Sequence, residues 1–99
     1  MTELNIAFPA WIDRLPKKAQ PRARARFLLR LIACLATPEG SVSVLSTRLG
    51  MHRNSLNAML AAGTLDDGLP VNIIKSIEQV IGAGVIKRSV LNPEVYGDI

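Results

Sequence analysis

The spacing of apolar residues predicts that most of this chain is helical. Between residues 22 and 36, leucine and isoleucine recur at intervals of three and four, which places them on one side of a helix. The residues expected to be buried are Leu28, Leu31, Ile32 and Leu35. Three arginines at i, i+4 and i+8 (Arg22, Arg26 and Arg30) lie on the opposite side. Pro38 and Gly40 then end the helix.

Three shorter helices follow in the pattern. Either Ser41 or Ser43 is suited to cap the first of them, which runs to about Leu49 and stops at Gly50. The next is expected to begin near His52–Arg53 and to end before Gly63. The last begins with Pro70 as its first residue. Its apolar stripe comprises Ile73, Ile74, Ile77, Val80 and Ile81.

The remaining segments give weaker signals. Residues 1–20 are interpreted as an N-terminal extension and residues 21–99 as the folded domain. Residues 85–90 fit either a short strand or an extended arm, and Asp66-Asp67-Gly68 is typical of a turn. The predicted fold is therefore all-α, with four to five short helices and a possible short C-terminal strand or arm.

The composition excludes several classes of function. The chain has 99 residues, of which 48% are hydrophobic and only four are aromatic, so a single aliphatic core is expected. One cysteine and one histidine leave no basis for a disulfide framework or a cysteine-rich zinc site. We expect no catalysis, no cofactor, no metal and no small-molecule substrate. Cys34 is interpreted as a small buried hydrophobic residue, and Trp11 as a lid over the core or a dimer contact.

No run approaches the ~20 apolar residues that a membrane span needs. The first residues carry Glu3 and lack a basic region followed by an apolar one, so no secretory signal is predicted. A cytoplasmic location without membrane association is the expectation.

The basic residues are concentrated near the N-terminus. Seven lie between Arg14 and Arg30, and no acidic residue occurs between Asp13 and Glu39. Such a block is typical of a protein with a polyanionic partner. For the arginine row of the long helix, phosphate contacts, a dimer surface and a simply solvated face all remain open.

Residues 42–61 carry the most informative pattern, because two short helices meet there across a turn centred on glycine. A tight helix-turn-helix needs inward apolar residues, a small residue at the helix crossing and a glycine in the turn. Leu45, Leu49, Met51, Leu56 and Met59 supply the apolar positions. Ser46 supplies the small one and Gly50 the turn.

The outward side of the second helix in this pattern is polar with small neighbours. Arginine pairs bidentately with guanine and asparagine with adenine, while alanine allows close approach and contact with a thymine methyl group. The residues expected to read bases are His52, Arg53, Asn54, Asn57 and Ala58. Those expected to contact phosphates are Ser41, Ser43, Arg48 and Ser55.

This segment resembles the helix-turn-helix of the phage lambda Cro/repressor superfamily, in which alanine usually occupies the position of Ser46. The stretch that follows resembles the end of YdaS-like prophage regulators, and the two resemblances together cover about residues 41–97. The second is carried by Ile77-Glu78, Gly82, Gly84, Arg88, Leu91, Pro93 and Tyr96.

The resemblance implies a small dimeric regulator of transcription, Cro-like and often encoded by a prophage. We expect a repressor that binds a palindromic double-stranded DNA operator as a homodimer, with half-sites ~34 Å apart. The alternative is a protein-interaction module, such as an anti-repressor or a component of a toxin–antitoxin pair. Arg88 is expected to hold the tail through Glu78 or Glu94 rather than to contact DNA.

Overall fold

The structure, a computed structural model, describes residues 3–62, 65–66 and 68–97. These residues are mostly helical and contain no strand. They include seven α-helices and a 3-10 turn at Lys17–Ala19. The α-helices are α1 (Ala10–Asp13), α2 (Gln20–Ala36), α3 (Val42–Arg48), α4 (Ser55–Ala61), α5 (Val71–Ile81), α6 (Arg88–Leu91) and α7 (Pro93–Tyr96). The prediction of an all-α fold is confirmed at this level.

The helix count of four to five was wrong for the described part of the chain. The additional elements α1, α6 and α7 have four residues each. A single turn is too short to show the apolar periodicity from which helices are predicted. The helices that the pattern did identify correspond to α2, α3, α4 and α5.

The long helix α2 lies at the centre of the core, and the prediction of its buried side is confirmed at Leu28 and Ile32 but was wrong at Leu31 and Leu35. Its buried residues are Ala25, Leu28, Leu29, Ile32 and Ala33. Leu31 is only half-buried, and Leu35 is 48% exposed. The small side chains of Ala25 and Ala33 let neighbouring helices approach closely, and this turns the buried face away from Leu35. Cys34 is exposed for the same reason, so its interpretation as a buried residue was wrong.

Thr37 connects the end of α2 to the start of α3. Its buried hydroxyl donates to the carbonyl of Ala33 at 2.6 Å and accepts from the N–H of Ser41 at 2.8 Å. Ser41 is in turn the N-cap of α3, because its Oγ accepts from the N–H of Val44 at 3.2 Å. Of the two serines predicted as caps, Ser41 therefore fills the role, and the α2–α3 corner is closed by side-chain hydrogen bonds.

The core is aliphatic, as the composition predicts. Leu45 of α3, Leu56 of α4 and Ile74 of α5 are fully buried with the inner face of α2. Pro70 precedes α5 as its N-cap and is not its first residue, since the helix begins at Val71. The predicted α5 stripe is buried at Ile73, Ile74 and Ile77, and it extends to half-buried Val80 and Ile81.

The N-terminal segment lies along the body of the molecule. The N–H of Leu4 donates to the carbonyl of Val85 at 2.7 Å, and the ring of Phe8 packs on that of Phe27 with 5.6 Å between centroids. Ile12 of α1 is fully buried, whereas Trp11 beside it is 54% exposed. Trp11 is therefore no lid over the core, because more than half of its surface is exposed.

Residues 85–90 form neither of the two predicted structures. Val85 and Ile86 are both buried in a bend, and the chain enters α6 at Arg88. Two successive buried side chains are incompatible with the alternation of a half-exposed strand. Of the predicted turn at residues 66–68, Asp67 lies outside the described residues.

Asn92 anchors the C-terminal helices through a side chain that is only 4% exposed. Its amide donates to the carbonyl of Leu69 at 2.8 Å, and its oxygen accepts from the N–H groups of Glu94 and Val95 at the start of α7. This buried amide therefore joins the tail to the loop before α5 and satisfies both of its ends. None of the helices in the described ranges has the length and apolar character to cross a membrane.

Candidate nucleic-acid interface

The helices α3 and α4 cross at Ser46, which is completely buried. Its Oγ accepts from the N–H of Leu56 at 3.1 Å, and its backbone carbonyl accepts from the N–H of Met51 at 2.9 Å. An alanine at this position would fit the crossing, but the N–H of Leu56 would lose its hydrogen-bond partner. The serine therefore adds a hydrogen bond between α3 and the first turn of α4.

The turn between the two helices requires glycine at one point. Gly50 has φ +78°, a conformation that side chains oppose, and it lies exposed between buried Leu49 and half-buried Met51. Met51 packs against the core, as predicted for a residue that points back inward. The turn thus directs the chain from the core at Leu49 to the surface at His52.

The helix α4 begins at Ser55, and the predicted start near His52–Arg53 was wrong. The ring Nδ1 of His52 accepts from the N–H of Asn54 at 3.2 Å, and the N–H of Ser55 donates to the carbonyl of His52 at 2.9 Å. These local bonds hold a turn at residues 52–54. His52, Arg53 and Asn54 consequently stand on the turn that leads into α4.

All five residues predicted to read bases are exposed. His52, Arg53 and Asn54 lie on the turn, while Asn57 and Ala58 lie on α4. Ala61 is also exposed one turn further along, and the buried side of α4 is formed by Leu56 and Leu60. The polar strip of Arg53, Asn54, Asn57, Ala58 and Ala61, called the α4 strip below, is therefore uncovered by the described chain.

The residues predicted to contact phosphates have more varied surroundings. Ser41, Ser43 and Ser55 are half-buried, whereas Arg48 is exposed. The guanidinium of Arg48 donates to the backbone carbonyl of Ala36 at the end of α2. Ser43 accepts from the side-chain amide of Asn57 at 3.1 Å.

The bond between Ser43 and Asn57 is the one hydrogen bond between side chains of the two predicted groups among the described residues. It fixes Nδ2 of Asn57 as a donor to α3 and leaves the amide oxygen as an acceptor. This hydrogen bond favours one orientation of the exposed Asn57 side chain in the unbound protein, which lowers the entropy cost of binding a ligand.

The charge around α3 and α4 favours an anionic ligand. No aspartate or glutamate occurs between Glu39 and Asp66, while Arg48 and Arg53 lie within that stretch. Arg53 has no ion pair or side-chain hydrogen bond in the part of the chain that the structure describes. Its guanidinium therefore keeps its donors for an external acceptor.

Arg22 of α2 supports the other end of α4, a contact that the sequence pattern did not indicate. Its Nη2 donates to the carbonyl of Ala62 at 3.4 Å, and its Nε lies 3.8 Å from a carboxylate oxygen of Asp66. That Nε is buried and has no hydrogen-bond partner among the described residues. The first arginine of the basic row is thus engaged in a structural contact.

Arg88 pairs with Glu78, one of the two predicted partners. The guanidinium donates to both carboxylate oxygens, at 2.8 and 3.1 Å, and it lies 5.6 Å from the ring centroid of Tyr96. These hydrogen bonds lower the pKa of Glu78 below its ordinary value and raise that of Arg88. The predicted pairing with Glu78 is confirmed, because Nε and Nη2 of Arg88 donate to that carboxylate of α5 while the guanidinium lies near the ring of Tyr96 in the tail.

Comparison of the chain with models of known protein families, with curated proteins and with solved structures found no significant match.

Proposed function

We propose that this protein binds double-stranded DNA in a sequence-dependent manner, with α3, the turn at Gly50 and α4 acting as a helix-turn-helix. The observation that carries the proposal is the uncovered α4 strip on a helix fixed to α3 by the buried hydroxyl of Ser46. A rigid, exposed helix with polar side chains and small neighbours suits the width of the major groove.

In this proposal Arg53 donates two hydrogen bonds to a guanine, and Asn54 and Asn57 read adenines. Ala58 and Ala61 let the helix backbone approach the base edges. Ser41, Ser43, Arg48 and Ser55 set the register through phosphate contacts. His52 assists from the turn.

The biological role that fits this chemistry is regulation of transcription, as a Cro-like repressor of the kind that prophages encode. A single α4 reads only a few base pairs. The protein would therefore act as a homodimer on a palindromic operator, with half-sites ~34 Å apart. Repression follows if that operator overlaps a promoter.

A protein-interaction module is the second candidate, and exposed apolar side chains favour it. Trp11 and Val95 are each 54% exposed. Neither lies on α4, whose strip has no large apolar residue and so lacks the composition of a protein-binding helix. The two candidates consequently assign function to different surfaces.

The proposal is tested by selecting bound duplexes from a random pool and then measuring Arg53→Ala on the selected and on a shuffled duplex. The variant should lose about 1–3 kcal/mol on the selected duplex and much less on the shuffled one, because a guanine contact is specific. Affinity for both should fall steeply with salt.

Arg14→Ala is the matched control, since Arg14 is exposed, has the same charge and lies outside α3 and α4. It should weaken binding slightly and equally on both duplexes. Equal losses from Arg53→Ala on the two duplexes would remove the base-reading role. A selection that enriches no sequence would contradict the proposal itself.

A further inference from the structure

A groove with a volume of about 480 Å³ lies between α1 and the outer side of α2, apart from the α4 strip. Its apolar wall includes Trp11, Leu15, Ala23 and Phe27. Its other lining residues include Arg26 and Arg30, which follow one another at a spacing of four along α2. The groove therefore combines an apolar floor with a row of positive charge.

The apolar part of the groove is incompletely covered by the chain. Trp11 exposes 54% of its surface, although its neighbour Ile12 is fully buried. Phe27 is half-buried against Phe8 and presents its remaining surface to the groove. A concave surface with this much accessible aromatic area suits the insertion of a large apolar side chain.

The charged part of the groove has unused hydrogen-bond donors. Arg22 is held by Ala62 and Asp66, but Arg26 and Arg30 make no hydrogen bond or ion pair with any described side chain. The flanking carboxylates in the sequence are Asp13 and Glu39, and neither forms an ion pair in the described part of the chain. Two guanidinium groups are therefore available for external carboxylates.

We infer that this groove binds an acidic peptide segment of a partner protein, in which a large apolar side chain is flanked by carboxylates. Charge complementarity assigns the carboxylates to Arg26 and Arg30, and the apolar side chain packs on Trp11 and Phe27. Duplex DNA does not fit, because its broad convex backbone cannot enter a groove of about 480 Å³. The inference concerns a different surface from the proposed DNA-binding strip.

The test uses the fact that Trp11 is the single tryptophan of the chain, so its fluorescence reports on the groove directly. The full chain is titrated with synthetic glutamate-rich peptides whose central position is leucine, phenylalanine or serine. The leucine and phenylalanine peptides should shift the emission and saturate. The serine peptide should bind at least about tenfold more weakly, a difference expected for loss of a buried apolar side chain.

The charge requirement is tested with a double variant, Arg26→Ala with Arg30→Ala. It should weaken the leucine peptide at least about tenfold, because both carboxylate contacts are lost. The control is Arg14→Ala with Lys75→Ala, which removes the same net charge from exposed positions outside the groove. The control should lose less than about threefold. Both variants should melt like the wild type, since Arg14, Arg30 and Lys75 are exposed and the half-buried Arg26 makes no hydrogen bond or ion pair with a described residue.

Four results would overturn the inference. Equal binding of the serine and leucine peptides would show a charged surface without an apolar site. Equal losses in the double variant and its control would show that the groove arginines are not involved. Tighter binding of single-stranded oligothymidylate than of the leucine peptide, with the same fluorescence shift, would assign the groove to nucleic acid instead. Absence of any saturable binding would count against it equally.

Discussion

Ser46 shows how much one buried side chain contributes to the arrangement of α3 and α4. Its hydroxyl, with no exposed surface, accepts from the N–H of Leu56 ten residues later in the chain. The sequence pattern predicts that a small residue must lie at this crossing. It does not predict the hydrogen bond, because that depends on where α4 starts.

Replacing Ser46 with alanine should lower the free energy of unfolding by about 1 kcal/mol, because the N–H of Leu56 loses its partner at a helix start. Urea denaturation measures the loss. Ser76→Ala is the control, since that hydroxyl donates only within α5, and it should change stability by less than about 0.5 kcal/mol. If the two variants are equally stable, the cap at Leu56 has no energetic role.

The ion pair between Glu78 and Arg88 should make stability depend on pH in the acid range. Hydrogen bonds from Arg88 lower the pKa of Glu78 in the folded protein, so the folded state favours the ionised carboxylate. This stabilisation is complete above the pKa of the unfolded chain and is lost as the pH falls from there through the lowered folded value.

The variant Glu78→Gln should therefore be less stable than the wild type at neutral pH, and the difference should shrink towards acid pH. Urea denaturation at a series of pH values checks this. Glu39→Gln, at an exposed position with no ion pair among the described residues, should run parallel to the wild type. A difference between Glu78→Gln and wild type that stays constant with pH would contradict the lowered pKa.

Among the helices, the sequence predicts that α2 to α5 exist, but it predicts less well which face of α2 is buried and where α4 begins. Periodicity identifies which segments are helices, but not which of two adjacent stripes becomes buried. In α2 the choice was made by Ala25 and Ala33, whose small side chains permit close helix packing. A pattern that counts only large apolar residues cannot weigh them.

The start of α4 shows a second limit of the pattern. The imidazole of His52 accepts from the N–H of Asn54 and so stabilises a turn where the periodicity allows a helix. Such side-chain bonds to nearby backbone compete with helix formation. The candidate base-reading residues were still placed on the exposed surface, because exposure follows from the alternation with buried Leu56 and Leu60.

The turn between α3 and α4 should be sensitive to substitution of Gly50, whose φ is +78°. Gly50→Ala should destabilise the fold by about 1–2 kcal/mol, the cost of a left-handed conformation for a residue with a side chain. The added Cβ would meet no atom within 4 Å, so the effect reports the backbone alone. Gly50→Asn should recover part of the loss, because asparagine tolerates this conformation better. Thermal melting measures both, and an unchanged Gly50→Ala would show that the turn can relax.

For the molecule as a whole, the structure of the N-terminal segment is the part that sequence patterns predict least. The helix α1 in this segment has a single turn. The contacts of Leu4 with Val85 and of Phe8 with Phe27 join parts of the chain that are far apart in sequence. No local signal encodes such contacts. The groove lined by Trp11 and the arginine row arises from this packing, and only the structure brings its two sides together.

The molecule thus presents two surfaces with different chemistry. The α4 strip is polar with small neighbours, which suits base edges, whereas the groove at α1 and α2 is aromatic and cationic. Arg22 lies between them, since it lines the groove and donates to the end of α4 at Ala62. Of these two surfaces, the α4 strip is the one that we propose binds DNA.

Mapping of amide chemical-shift changes while a selected DNA duplex is added to the protein tests whether DNA binds at the α4 strip. We expect the largest changes on residues 41–62, above all on Arg53, Asn54 and Asn57, and smaller changes there with a shuffled duplex. Changes confined to the groove around Trp11, or identical maps for the two duplexes, would contradict this proposal.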